Sequence, residues 1–101
     1  MSDSLAVVLQ RRAIREIEEV DDWWRHNRAA SPDLFQKELE TMLSAAALMP
    51  TLGAPIRGER ARGLRRLLLR RTRYHLYYRV VGDVLEVLAV WHATRGMGPG
   101  L

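Results

Sequence analysis

The sequence predicts an α+β domain: an N-terminal strand, an antiparallel two-helix hairpin, then a three-stranded antiparallel meander, forming one sheet with the helices on one face. Three observations carry this. Apolar residues recur at helical spacing through residues 13–47, apolar and polar residues alternate from Leu64 onward, and a Gly82-Asp83 pair separates two of the alternating runs. The 101 residues suit one domain, with a modest core that needs no metal or disulfide support. Residues 1–95 are expected to form it, and residues 96–101 a flexible tail.

Residues 5–9 (LAVVL) form a short β-branched run and the first expected strand. A helix over residues 11–26 follows, because Ala13, Ile14, Ile17, Val20 and Trp24 share a stripe, with Arg15, Glu16, Glu18, Glu19 and Asp22 mostly opposite. Asp21 breaks the register. The second helix opens at Ser31-Pro32-Asp33, with Ser31 as N-cap, Pro32 at the first helical position and Asp33 at the positive end. Its stripe of Phe35, Leu39, Met42, Leu43, Ala46 and Ala47 runs toward Met49, and Pro50 stops it. Pro50, Gly53, Pro55, Gly58 and Gly63 mark a loop. Strands are expected at residues 64–70, 74–81 and 84–91, with Gly82-Asp83 supplying the positive φ angles of a tight hairpin.

Side chains alternate across a strand, so parity assigns the faces. Leu67, Leu69, Leu76, Tyr78, Val80, Leu85, Val87, Ala89 and Trp91 are expected to meet the helices. The opposite parity gives a helix-free face of Arg66, Leu68, Arg70, His75, Tyr77, Arg79, Glu86, Leu88, Val90 and His92. Arginines there can neutralise phosphates, tyrosine can stack on bases, and a histidine can move a proton near neutral pH. Leu68, Leu88 and Val90 add an apolar strip that suits a protein partner.

Charge sharpens that picture. The net charge is +4, yet residues 57–79 hold nine arginines against one acid, Glu59. Lys37 is the only lysine. A guanidinium offers a planar fork of donors that fits phosphate or carboxylate; a GC-rich genome also favours arginine, but does not cluster it. Without cysteine there is no disulfide framework or thiolate metal site, and a cytoplasmic location is expected. The first residues lack a signal-peptide pattern, no stretch approaches a membrane span, and no membrane contact is expected. No metal-ligand spacing, phosphate-binding glycine loop or serine nucleophile motif occurs, so neither metal nor cofactor is expected. A lone histidine at a strand end is more often structural than catalytic.

Four blocks of sequence resemble one family. They are the helix from Arg12 to Val20, the LMPTLGAPI segment from Leu48 to Ile56, RRLLLRRTRYHLYYRV from Arg65 to Val80, and LEVLAVWHATR from Leu85 to Arg95. Together they resemble the RelE/ParE superfamily, the toxins of bacterial type II toxin–antitoxin modules, also called plasmid-stabilisation proteins. The resemblance implies a toxin held inactive by a cognate antitoxin, with operator DNA bound only through that antitoxin. In the RelE-like branch the implied target is mRNA on the ribosome, cleaved without a metal by attack of the 2′-hydroxyl. His92, Arg66, Arg79 and Glu86 would then be the catalytic candidates, His92 as acid and Glu86 as a weak base. The ParE-like branch instead implies inhibition of DNA gyrase, and the helical hairpin and the turn from Met49 to Pro55 favour it. Either target would be met by Arg66, Arg70, Arg73, His75, Tyr77, Arg79, His92 and Arg95, and the antitoxin by Leu68, Leu88 and Val90. The C-terminal tyrosine and the lysines of many nuclease members are missing here.

Overall fold

A computed structural model describes residues 3–95 and 98–101. Strand β1 (Ala6–Leu9) leads into helices α1 (Arg11–Asn27) and α2 (Leu34–Leu48). A two-residue strand, β2 (Ala54–Pro55), interrupts the following loop, and β3 (Arg65–Leu69), β4 (Tyr74–Val81) and β5 (Val84–His92) complete the sheet. The α+β class stands, but the sheet is five-stranded and mixed, in the order β1-β5-β4-β3-β2, with β1 parallel to β5. A helical hairpin separates β1 from the other strands, so no tight turn forces it antiparallel. Pro55 is tolerated because β2 is an edge strand, where a missing N–H costs no ladder bond.

The helices pack on one face. Ala13 and Ile17 of α1 and Phe35, Leu39 and Ala46 of α2 meet Leu67, Leu69, Leu76, Tyr78, Leu85, Val87 and Val90 of the sheet in one cluster. Ser31 does not cap α2. Residues 31–34 form a turn, closed by the Leu34 N–H on the Ser31 carbonyl at 3.3 Å, and Asp33 takes the cap position with its carboxylate 2.9 Å from Lys37 Nζ. At the β4–β5 hairpin only Gly82 has a positive φ, 61°. This is the pattern of a type II′ turn.

The long loop is fixed by Tyr78. Its buried hydroxyl donates to the Pro50 carbonyl at 2.7 Å and accepts the Gly53 N–H at 2.8 Å. A Cβ on Gly53 would lie 2.7 Å from the Tyr78 oxygen, so only glycine allows the approach. Arg65 adds a bond to the Gly53 carbonyl at 2.7 Å.

Strand β5 breaks the expected parity. Tyr78 pairs with Val87 and Tyr77 with Ala89, which leaves Leu88 as an extra residue in a bulge. One added residue exchanges the faces of everything beyond it. Val90 therefore joins the core at 3% exposure, and His92 pairs across from Tyr74 on the helix side. Ala89 and Trp91 turn to the other face, opposite Tyr77 and His75, correcting their expected places.

Candidate functional site

The helix-free face gathers Arg66 and Leu68 from β3, His75, Tyr77 and Arg79 from β4, and Glu86 and Trp91 from β5. These residues behave in three ways. Arg79 is paired with Glu86, its Nη2 at 2.9 Å and Nε at 3.2 Å from the same carboxylate oxygen, which also accepts from Gln10 Nε2. Glu86 is thus engaged and is poorly placed to act as a base. Tyr77 is buried at 6% exposure. Gly98, Pro99 and Leu101 of the tail lie beside it with Ile56, Leu64 and Arg66, around a pocket of about 250 Å³, and Gly100 accepts a 2.7 Å bond from Arg12 Nη1.

Arg66, Arg70, Arg73 and Arg95 remain exposed, and none is in an ion pair among the described residues. Arg70 and Arg73 flank the β3–β4 turn, which is held from α2. Glu38 accepts the backbone N–H groups of Arg71 and Thr72 at 2.8 and 3.0 Å and the Thr72 hydroxyl at 2.7 Å. Arg73 takes φ 68°, the only positive value among described non-glycine residues. Its carbonyl accepts the Ala93 N–H at 2.7 Å, bringing Arg95 to the same end of the sheet, where its guanidinium stacks 4.4 Å above Trp91. Burial, then Arg66 and Arg73, hold the His75 imidazole below its usual pKa.

His92 is elsewhere. It lines a groove of about 470 Å³ between α1 and the end of β5, with Glu16, Glu19, Trp23, Tyr74 and Arg95. Its ring stands edge-on to Tyr74 at 4.9 Å, and its Nδ1 faces the Thr94 N–H at 3.3 Å and the Thr94 hydroxyl at 2.7 Å. Because Nδ1 accepts the amide proton, the neutral ring carries its own proton on Nε2. The sheet separates His92 from Arg66, Arg79 and Glu86, so the four catalytic candidates are not assembled. Val90 and Leu88, at 3% and 7% exposure, cannot present the expected apolar strip to a partner; Leu68 alone of the three is half-buried.

Sequence reasoning did not single out Glu16 or Glu38. Both carboxylates sit on helices and satisfy backbone groups far along the chain: Glu16 accepts the Val90 N–H at 3.1 Å, beyond the point where β1 stops covering β5. The helical pattern shows them only as polar positions. Among the described residues no group of three or more histidines, aspartates or glutamates gathers to hold a metal, and no helix is long and apolar enough to cross a membrane.

A two-helix hairpin on one side of a small mixed sheet is a fold shared with solved structures from toxin–antitoxin pairs. Residues 7–97 match the family described as the ParE toxin of the type II toxin–antitoxin system, parDE, and the chain belongs to that family. Among solved structures it is similar to one of the chromosomal ParDE toxin–antitoxin system from P. aeruginosa, at 18% identity and TM-score 0.70, covering 90% of this chain and 98% of the other. It is also similar to one of the RelBE2 toxin–antitoxin complex from Mycobacterium tuberculosis, at 22% identity and TM-score 0.65, covering 88% and 98%. A third, of the isolated E. coli RelE toxin, matches at 23% identity and TM-score 0.62, covering 92% and 88%. At these identities the structures share the fold. No curated protein matches the sequence significantly.

Proposed function

We propose that this toxin is ParE-like, acts in the bacterial cytoplasm by inhibiting DNA gyrase, and is neutralised by a cognate antitoxin through which the pair binds operator DNA. The observation that supports this branch is the separation of His92 by the sheet from Arg66, Arg79 and Glu86, which leaves Arg95 as the arginine lining its groove. Cleavage of RNA by its own 2′-hydroxyl needs a proton donor and a cation at one phosphate. Here the imidazole lies on the helix side with Nδ1 held by Thr94, and Glu86 is held by Arg79. A surface on which Arg66 and Arg79 lie across the sheet from the imidazole suits binding better than bond cleavage.

The RelE-like reading keeps one supporting observation, the unpaired Arg66 and Arg73 around His75. Parallel assays separate the two. Purified toxin is expected to inhibit gyrase supercoiling, with His92→Ala leaving inhibition intact. Cleavage of mRNA on programmed ribosomes, abolished by His92→Ala in a folded variant, would overturn the proposal. Expression of the chain without its antitoxin is expected to arrest bacterial growth, and unimpaired growth at high expression counts against a toxin.

A further inference from the structure

The β3–β4 turn carries Arg70, Arg71 and Arg73 around a single buried residue, Thr72, which is 3% exposed. All three arginine side chains are exposed, yet the backbone beneath them is fixed. The Arg73 N–H returns to the Leu69 carbonyl at 2.8 Å, the Arg73 carbonyl accepts from Ala93, and Glu38 takes the N–H groups of Arg71 and Thr72. Both Glu38 oxygens are engaged in this way, one of them also by the Thr72 hydroxyl. The carboxylate at the turn therefore holds backbone, and none of the three guanidiniums is in an ion pair among the described residues. Arg73 keeps φ 68°, a conformation that glycine adopts without strain. The turn thus carries a guanidinium at a position whose backbone geometry favours glycine.

The positive field extends onto the sheet. Burial first, and then Arg66 and Arg73, hold the His75 imidazole below its usual pKa, so both guanidiniums act at one ring. Trp91 pairs opposite His75 and lies under the Arg95 guanidinium. Among the described residues, none of the large exposed apolar side chains belongs to the turn. A protein partner needs an apolar centre to its interface. Interfaces with DNA are polar and strongly basic, and most of their hydrogen bonds run to phosphate and sugar. A guanidinium fork meets two phosphate oxygens at once.

We propose that the β3–β4 turn is a contact for the phosphate backbone of duplex DNA, by which the toxin grips the DNA held by gyrase as well as the enzyme. The role at gyrase rests on the reading of the chain as a gyrase inhibitor; the contact with DNA stands on the turn itself. Backbone contacts carry no base sequence, so operator recognition stays with the antitoxin. Three neutralised phosphates release counterions, and log K should fall with log salt at a slope of about −3.

The test uses full-length toxin and a labelled duplex of about 20 base pairs of arbitrary sequence, followed by fluorescence anisotropy between about 50 and 200 mM salt. Arg70→Gln and Arg71→Gln are each expected to reduce the slope by about 1, and together to weaken binding at least about tenfold. Arg73→Gly should lose the same increment of slope while melting no earlier than wild type. Arg15→Gln removes the same charge from an exposed site on α1 and is expected to leave the slope unchanged. An equal effect of Arg15→Gln makes the binding one of net charge and overturns the proposal. So does an RNA duplex of the same sequence bound about tenfold more tightly, which assigns the turn to RNA. Displacement of the duplex by poly-glutamate at equal charge concentration assigns it to an acidic protein and also overturns the proposal. Supercoiling assays separate the contact from the function on which it rests. Gyrase inhibition at least about tenfold weaker in the Arg70→Gln, Arg71→Gln double variant supports the proposal. Full inhibition by that variant overturns the proposal and spares the gyrase reading. Duplex binding through the turn by a wild type that does not inhibit gyrase overturns the gyrase reading and supports the DNA contact.

Discussion

At the β4–β5 hairpin end of the sheet the exposed large apolar side chains include Val7, Val8, Leu48, Met49, Leu52, Val80 and Val81, whereas the β3–β4 turn end exposes Arg70, Arg71, Arg73 and Arg95. Both ends are held rigid by a single polar side chain reaching backbone. Tyr78 pins residues 50–53 at the apolar end, and Glu38 pins residues 71 and 72 at the basic end. The apolar end leaves a strand edge unpaired, whereas the basic end leaves guanidiniums unpaired. One suits a partner that buries apolar surface, the other an acidic or phosphorylated one.

Breaking the clamp at the apolar end should have the largest effect. Gly53→Ala places a methyl group against the Tyr78 ring and hydroxyl, and overpacking plus a lost buried bond is expected to cost about 3 kcal/mol in chemical denaturation. At the basic end, Glu38→Ala strands two backbone N–H groups and the hydroxyl of Thr72, which is 3% exposed. A loss of about 2 kcal/mol is expected, and a cost below that of Gly53→Ala keeps the apolar end the more tightly constrained.

Arg73→Gly reverses the sign. Relief of the left-handed backbone should stabilise the turn by about 1 kcal/mol, measured by denaturant midpoint; a destabilised variant would show that the arginine side chain itself holds the turn.

The smallest effect is a pH dependence. His75 is held below its usual pKa of about 6.5, so below that value the unfolded chain binds the proton more readily than the folded one. Its contribution to stability therefore falls as pH drops from neutral through 6.5 toward the folded pKa. Arg66→Gln should raise the His75 pKa in an NMR titration and flatten that fall. An unmoved pKa would leave burial and Arg73 as its causes.

Much of this fold was legible in residue pattern. The apolar stripes of α1 and α2 gave both helices within a few residues, because a 3.6-residue period is a local property. Gly82 marked the hairpin, since a tight turn needs a residue that tolerates positive φ. The basic surface was legible in part: Arg66, His75 and Arg79 do share a face, as alternation along uninterrupted strands requires. The target itself was not legible, because gyrase inhibition and RNA cleavage depend on the placement of a few groups within this fold.

What the sequence alone determined was therefore the order of helices and main strands, the apolar side of each before Leu88, and the concentration of arginine in residues 57–79. Only the tertiary structure decided which face His92 occupies. The bulge at Leu88 is registered against β4, and Val90, just beyond it, finds its N–H acceptor in Glu16, a residue 74 positions away in the chain. The open edge of β1 is likewise a property of assembly: it exists because β1 pairs parallel with β5 and no described strand pairs with its other side.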